Sequence, residues 1–122
     1  QELANTAWAY ATEGYSAPKL FRAIAVEVRR SITAFKAQEL SNVVWAFAKA
    51  DVDTPALFQA VAREVPFKIG DFNCQSLSNT AWAYASMQLD DSKLFDVIAE
   101  ASRKTLATFK QQELTNTAWA FA

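Results

Sequence analysis

An eleven-residue phrase recurs in this chain at a fixed interval, and nothing else in the sequence restricts its fold so strongly. QELANTAWAYA at residue 1, QELSNVVWAFA at 38, QSLSNTAWAYA at 75 and QELTNTAWAFA at 112 follow one another every 37 residues without slippage. All four tryptophans, Trp8, Trp45, Trp82 and Trp119, hold one place in the phrase, and Asn5, Asn42, Asn79 and Asn116 hold another. Between the phrases the same period carries Leu20, Leu57 and Leu94, each followed by Phe21, Phe58 and Phe95, then Ala25, Ala62 and Ala99, and finally Phe35, Phe72 and Phe109. A unit of this length is one supersecondary element that cannot bury its apolar face alone, so copies must stack. The units are 1–37, 38–74 and 75–111, with a half unit at 112–122.

Within a unit, counting positions from Gln1, Gln38, Gln75 and Gln112, the spacing predicts two helices. Only two Gly and three Pro leave few turns for a β architecture, while 52% hydrophobic content is enough for one continuous core. Helix A covers positions 1 to 13 and is apolar at 3, 4, 7, 8, 10 and 11, most of its circumference. Phe35 with Leu40 and Phe72 with Leu77 have the spacing of a hydrophobic staple at its start. Asn73 is a competent N-cap there, and Lys36 and Lys110 are poor ones. Helix B begins near Ser16-Ala17-Pro18, Asp53-Thr54-Pro55 and Asp90-Asp91-Ser92, where a capping oxygen precedes a turn that tolerates proline. Pro66, followed by Gly70, predicts that the second helix B ends early or kinks. The expected fold is all-α, an α-solenoid of stacked antiparallel helical hairpins forming one repeat domain over residues 1–122. Because both ends fall inside the phrase, the chain is expected to be part of a longer one.

Several function classes are excluded on chemistry. No apolar run approaches the roughly 20 residues of a membrane span; Val43 to Ala48 is among the longest, so no membrane insertion is expected. The lone Cys74 permits no internal disulfide and gives no metal-ligand spacing. With no His, no glycine-rich phosphate loop and no carboxylate pair in an evident pocket, an enzyme is not expected, and neither is a cofactor or a metal.

Positions 2, 5, 9 and 12 of helix A fall within about 80° of arc and form its polar stripe. The stripe carries Glu2, Asn5, Ala9 and Thr12, then Glu39, Asn42, Ala46 and Lys49, then Ser76, Asn79, Ala83 and Ser86, then Glu113, Asn116 and Ala120. An amide both donates and accepts, so a column of Asn could match base edges one per unit, with Thr12, Lys49 and Ser86 supplying variation between rungs. The same Asn column could instead bond neighbouring helices and hold the stack in register. For the Trp, which border the apolar arc, packing between units is the better reading than base stacking.

The net charge of −1 and pI near 5.4 lack the basic footprint of a nucleic-acid binder, yet the distribution is uneven. Arg29, Arg30, Lys36, Lys68, Arg103, Lys104 and Lys110 gather where helix B returns to the next helix A, while Glu13, Asp51, Asp53, Asp90 and Asp91 gather at the opposite turn. The basic edge could hold phosphates beside the N-termini of the A helices, or it could simply complement helix dipoles.

A Q-E-L-[SAT]-N-[TV]-x-W-A-[FY]-A helix followed by an L-F helix resembles the organellar heptatricopeptide and octotricopeptide repeats and the helical part of RAP and FASTK-related proteins. The resemblance covers the whole chain, and the 37-residue period favours the heptatricopeptide variety. It implies single-stranded RNA binding in an organelle, the mitochondrion ahead of the chloroplast, in transcript maturation, translation or an organellar ribosome, with ribosomal RNA and neighbouring proteins as partners. The rival function is a protein–protein scaffold without direct RNA contact, since such stacks also present extended surfaces to proteins.

Overall fold

The structure, a computed structural model, describes residues 2–12, 17–106 and 111–121. Seven α-helices run through these residues: α1 (Glu2–Thr12), α2 (Pro18–Arg30), α3 (Ala37–Lys49), α4 (Pro55–Lys68), α5 (Cys74–Ser86), α6 (Ser92–Thr105) and α7 (Gln111–Phe121). No strand occurs among the described residues, so the all-α expectation holds. The odd-numbered helices are the A helices of the sequence and the even-numbered ones the B helices.

The helix starts follow the local chemistry in three different ways. Asn73 caps α5 as expected, its Oδ1 accepting from the Ser76 amide at 2.8 Å and from the Ser76 hydroxyl at 2.9 Å. Lys36 cannot accept, and α3 is capped in the reverse sense: the Lys36 backbone N–H donates to the Glu39 carboxylate at 2.8 Å. Among the B helices Asp91 caps α6 through Leu94 N–H at 3.0 Å, whereas α2 and α4 start without a side-chain cap and rely on Pro18 and Pro55 in the first turn. The Thr54 hydroxyl, expected to cap α4, is buried without a partner. Ser16, Glu13, Phe109 and Lys110 lie outside the described residues.

Among the described residues, α3 and α5 end in a Schellman motif. After α3, Val52 N–H donates to Phe47 C=O at 3.1 Å and Asp51 N–H to Ala48 C=O at 3.1 Å; after α5, Leu89 N–H donates to Tyr84 C=O at 2.9 Å and Gln88 N–H to Ala85 C=O at 3.0 Å. Both motifs require a left-handed residue, which is Asp51 (φ 56°) in one and Gln88 (φ 58°) in the other.

Pro66 does not end α4 early. The helix runs two residues past it to Lys68 and then tightens into a 3₁₀ turn at Ile69–Asp71. The proline removes one i to i−4 donor, and fully buried Leu57, Val61 and Val65 hold the helix in place despite that loss.

Two rows of helices result. The A helices pack on one another in chain order, α1 on α3, α3 on α5 and α5 on α7, far more extensively than α2 packs on α4 or α4 on α6, and each of α1, α3 and α5 also packs on the helix that follows it. Small residues line the A-row seams: Ala4, Ala7, Ala46, Ala81 and Ala83 are buried, with Ser41, Ser78 and Thr80 among them. Larger side chains fill the space between the rows. Phe21 meets Phe47 edge to face at 4.9 Å, Phe58 meets Tyr84 at 5.1 Å, and Phe95 meets Phe121 at 5.1 Å. The Tyr84 hydroxyl donates to the Phe58 carbonyl at 2.6 Å, tying α5 to α4. Burial pushes its phenol far above the ordinary value, with the Asp91 charge acting in the same direction.

Candidate nucleic-acid interface

The open side of the A row is fixed by which positions escape both seams. At position 9, Ala46 and Ala83 are fully buried while Ala9, on the first A helix, is exposed, so this position faces the preceding A helix. Position 2 turns partly the same way: Ser76 is buried and Glu39 half-buried, and both are engaged in capping. At positions 4 and 7 the order reverses. Ala4, Ala7, Ser41, Val44, Ser78 and Ala81 are buried, whereas Thr115 and Ala118 on α7 are exposed, so these positions face the following helix. What remains open is positions 1, 5, 8 and 12, which at 100° per residue span about 60° of arc.

The polar stripe is therefore rotated by about 50° from the arc read off the sequence. Asn5 and Thr12 are exposed, Asn42, Asn79 and Asn116 half-buried, Lys49 exposed and Ser86 half-buried, so positions 5 and 12 sit on the open face. Ala46 and Ala83 leave the stripe because only a small residue allows the close approach of two A helices. Exposed Gln38 and Gln75 at position 1 join the face, and so do the tryptophans at position 8. The Trp are packed between units, with Trp8 and Trp45 ring centroids 6.4 Å apart and Trp45 and Trp82 6.5 Å apart. They are nevertheless rim residues, since Trp8 is 46% and Trp119 55% exposed while Trp45 and Trp82 are half-buried. Position 1 was legible from polarity alone; position 8 was not, because an indole reads as core.

No hydrogen bond among the described residues uses the side chain of Asn5, Asn42, Asn79 or Asn116. The register-holding role would require such bonds between neighbouring A helices, and the four amides are instead unspent on the open face. At position 12 the hydroxyls turn back to their own helices, Thr12 to Trp8 C=O at 2.8 Å and Ser86 to Ala83 C=O at 3.0 Å, each keeping its acceptor lone pairs.

The basic residues lie at the B-to-A end, where the sequence put them, but in two different states. Arg29, Arg30, Lys36, Arg103 and Lys104 are exposed. Arg30 pairs with Glu27 at 3.4 Å, and Arg103 and Lys104 pair with Glu100 at 2.8 and 3.9 Å, contacts that water weakens at this exposure. The Arg103 hydrogen bond and charge hold the Glu100 carboxyl below its ordinary value. Lys68 is committed inward. Its Nζ donates to the carbonyls of Phe35 and of Thr33 (2.9 Å) and Ile32 (3.4 Å), and it lies 3.5 Å from the Glu64 carboxylate. It clasps the preceding turn between α2 and α3 and is not presented to a ligand as the charge pattern implied.

Clefts occur elsewhere. An apolar one of about 520 Å³ lies between the 3₁₀ turn after α4 and α6, lined by Ile69, Phe72, Val97 and Ala101, away from the Asn column. Among the described residues no helix is long and apolar enough to cross a membrane.

A family model described as RNA-editing substrate-binding complex 6 protein matches residues 1–122. No curated protein matches the chain.

Proposed function

Because the chain belongs to the RNA-editing substrate-binding complex 6 family, we propose that it is a segment of an α-solenoid with a 37-residue unit whose A row binds single-stranded RNA. The family name places RNA and a protein complex in its setting. The observation that carries the reading is the column of four Asn amides, open and unspent, at one position of successive A helices. A splayed base can be read by two or three side chains per helical unit, and Asn matches either sense of a Watson–Crick edge. Tighter packing in the A row than in the B row curves such a stack with the A helices inside, so successive rungs converge on one strand.

In this reading Arg29, Arg30, Lys36, Arg103 and Lys104, with Lys110, take phosphates at the B-to-A edge, while Asn5, Asn42, Asn79, Asn116, Thr12, Lys49 and Ser86 face bases. Lys68 is left out because its ammonium is already used. The role is binding without catalysis, in an organelle and the mitochondrion first, which rests on the resemblance to heptatricopeptide and octotricopeptide repeats. The rival scaffold reading draws on the acidic pI and on the complex in the family name.

The test is RNA binding by the chain against salt. Asn42→Ala/Asn79→Ala is expected to flatten preference among homopolymers while keeping the salt slope. Arg29→Ala/Arg30→Ala/Arg103→Ala/Lys104→Ala is expected to reduce the slope by about 0.7 for each phosphate that is no longer neutralised. Absence of single-stranded RNA binding by the unaltered chain at moderate salt would establish the scaffold reading.

A further inference from the structure

We infer that the tryptophans at position 8 form a stacking rail for nucleobases, so that each base is held by two groups of the same helix, an indole against its face and an Asn amide against its edge. This rests on the RNA-binding reading above and assigns it a second, chemically different component.

The first support is placement. Positions 8 and 5 form the two borders of the open arc, about 60° apart with positions 1 and 12 between them, so the Trp and Asn columns run in parallel along the A row. Trp45 follows Asn42 by three residues and Trp82 follows Asn79 by three, a spacing that brings side chains to within about 5–6 Å at Cβ on one helix face. A base docked on the indole therefore has an unspent amide beside its edge.

The second support is burial. The large apolar groups that build the core, Leu40, Phe47, Leu77 and Tyr84, are at most 1% exposed, and the A-row seams are closed by Ala, Val, Ser and Thr. Trp45 and Trp82 pack against that core with only part of each indole and are half-buried, so the rest of each ring is left at the rim. Centroid separations of 6.4 and 6.5 Å, with planes tilted by 30° and 38°, lie near the far end of the 4.5–7 Å range of paired rings. The rings overlap only in part and keep uncovered surface. Each is the sequence-tolerant platform that single-stranded nucleic-acid binders use, because every base has a π-face.

The third support is charge. The open arc carries Gln, Asn, Trp and, at position 12, Thr12, Lys49 and Ser86; it has no carboxylate, while exposed Lys49 adds a cation next to the rail. An apolar face of a protein partner would meet hydrogen-bonding amides on both sides of the indoles, whereas a base satisfies amide and ring together.

The experiment compares the chain with W45L/W82L and W45F/W82F, using uridine and adenosine homopolymers at several salt concentrations, with circular dichroism as a check on folding. Saturating RNA is expected to quench the indole fluorescence of the unaltered chain. W45L/W82L is expected to lose on the order of tenfold in affinity for each stacked base, more for adenosine than uridine, with the salt slope unchanged. W45F/W82F is expected to recover most of the loss. If the unaltered chain binds RNA but its fluorescence does not change, or if a folded W45L/W82L binds as tightly as it does, the rail is wrong and the Asn ladder stands. Should the leucine variant not fold, the fluorescence response and the phenylalanine variant still decide. If the unaltered chain binds no RNA, the RNA-binding reading itself falls and takes the rail with it; quenching by a protein of the complex in place of RNA has the same meaning.

Discussion

The A and B rows are made of helices of similar length, yet their surroundings differ, and so does the regularity of their sequences. Each of the inner A helices, α3 and α5, lies between two other A helices and against the B row, so that Val43, Val44, Ala46 and Phe47, and likewise Thr80, Ala81, Ala83 and Tyr84, are sealed almost in succession. The inner B helix α4 buries Leu57, Phe58, Ala60, Val61 and Val65 and leaves Ala56, Gln59, Arg63, Pro66 and Phe67 in water. A helix enclosed on several sides can vary only where it is open. The QEL-N-W-A phrase is therefore repeated closely, while the B helices keep little more than their Leu-Phe and Ala positions. Closeness of repetition here measures how many sides of a helix are occupied.

The same substitution placed in each row tests this most severely. Ala83→Leu forces a large side chain into the seam between α3 and α5 and is expected to cost about 2–3 kcal/mol in urea unfolding. Ala62→Leu, half-buried on the inner B helix α4, is expected to cost under about 1 kcal/mol. Equal effects would show that the A row is not the tighter one.

Next in size is the contrast between two cationic positions at the ends of B helices. Lys68→Met abandons three carbonyls and the Glu64 carboxylate, and is expected to cost about 2 kcal/mol. Arg103→Met removes an exposed charge and is expected to leave the thermal midpoint unchanged while weakening RNA binding.

The join between rows comes third. Tyr84→Phe removes the bond to the Phe58 carbonyl and is expected to cost about 1 kcal/mol. Since the folded chain holds this phenol protonated far above its ordinary value, the contribution is fully present below about pH 10 and is lost as pH rises further, where the unfolded chain releases the proton and the folded one does not. The alkaline fall in stability is expected to be shallower in Tyr84→Phe, measured by unfolding at pH 8 and at higher pH.

The smallest effect concerns the helix ends. Gln88→Gly relieves a left-handed residue after α5 and is expected to stabilise by about 0.5–1 kcal/mol; Asp51→Gly gains less, because a short polar side chain tolerates that conformation. At Ser31, which closes a B helix with φ −116°, the same change gains nothing.

Most of the fold was legible, because period, helix starts and the A-helix apolar positions are all written in residue type. Pro66 misled as to where α4 ends, since the loss of one ladder bond is outweighed by the packing of Leu57, Val61 and Val65, which propensity does not reveal. The orientation of the A helices was legible only to about 50°. Small Ala at position 9 and polar Ser at position 2 read as surface until the neighbouring helix is present to cover them, while the packing of the Trp between units was legible and their partial exposure was not. Lys68 looked like any other cation at that edge, because the carbonyls it binds come from a turn more than thirty residues earlier.

The two ways of starting an A helix restrict the order in which one unit can turn into another. In the second unit Glu39 reaches back to the Lys36 amide; in the third Asn73 reaches forward to the Ser76 amide. Lys36→Asn made first gives a helix start with both kinds of bond, after which Glu39→Ser is tolerated. The reverse order passes through a start with neither, at a cost of about 1 kcal/mol. Divergence between the units of this chain is thus a path with a direction, in which the capping residue has to change before its partner is free to drift.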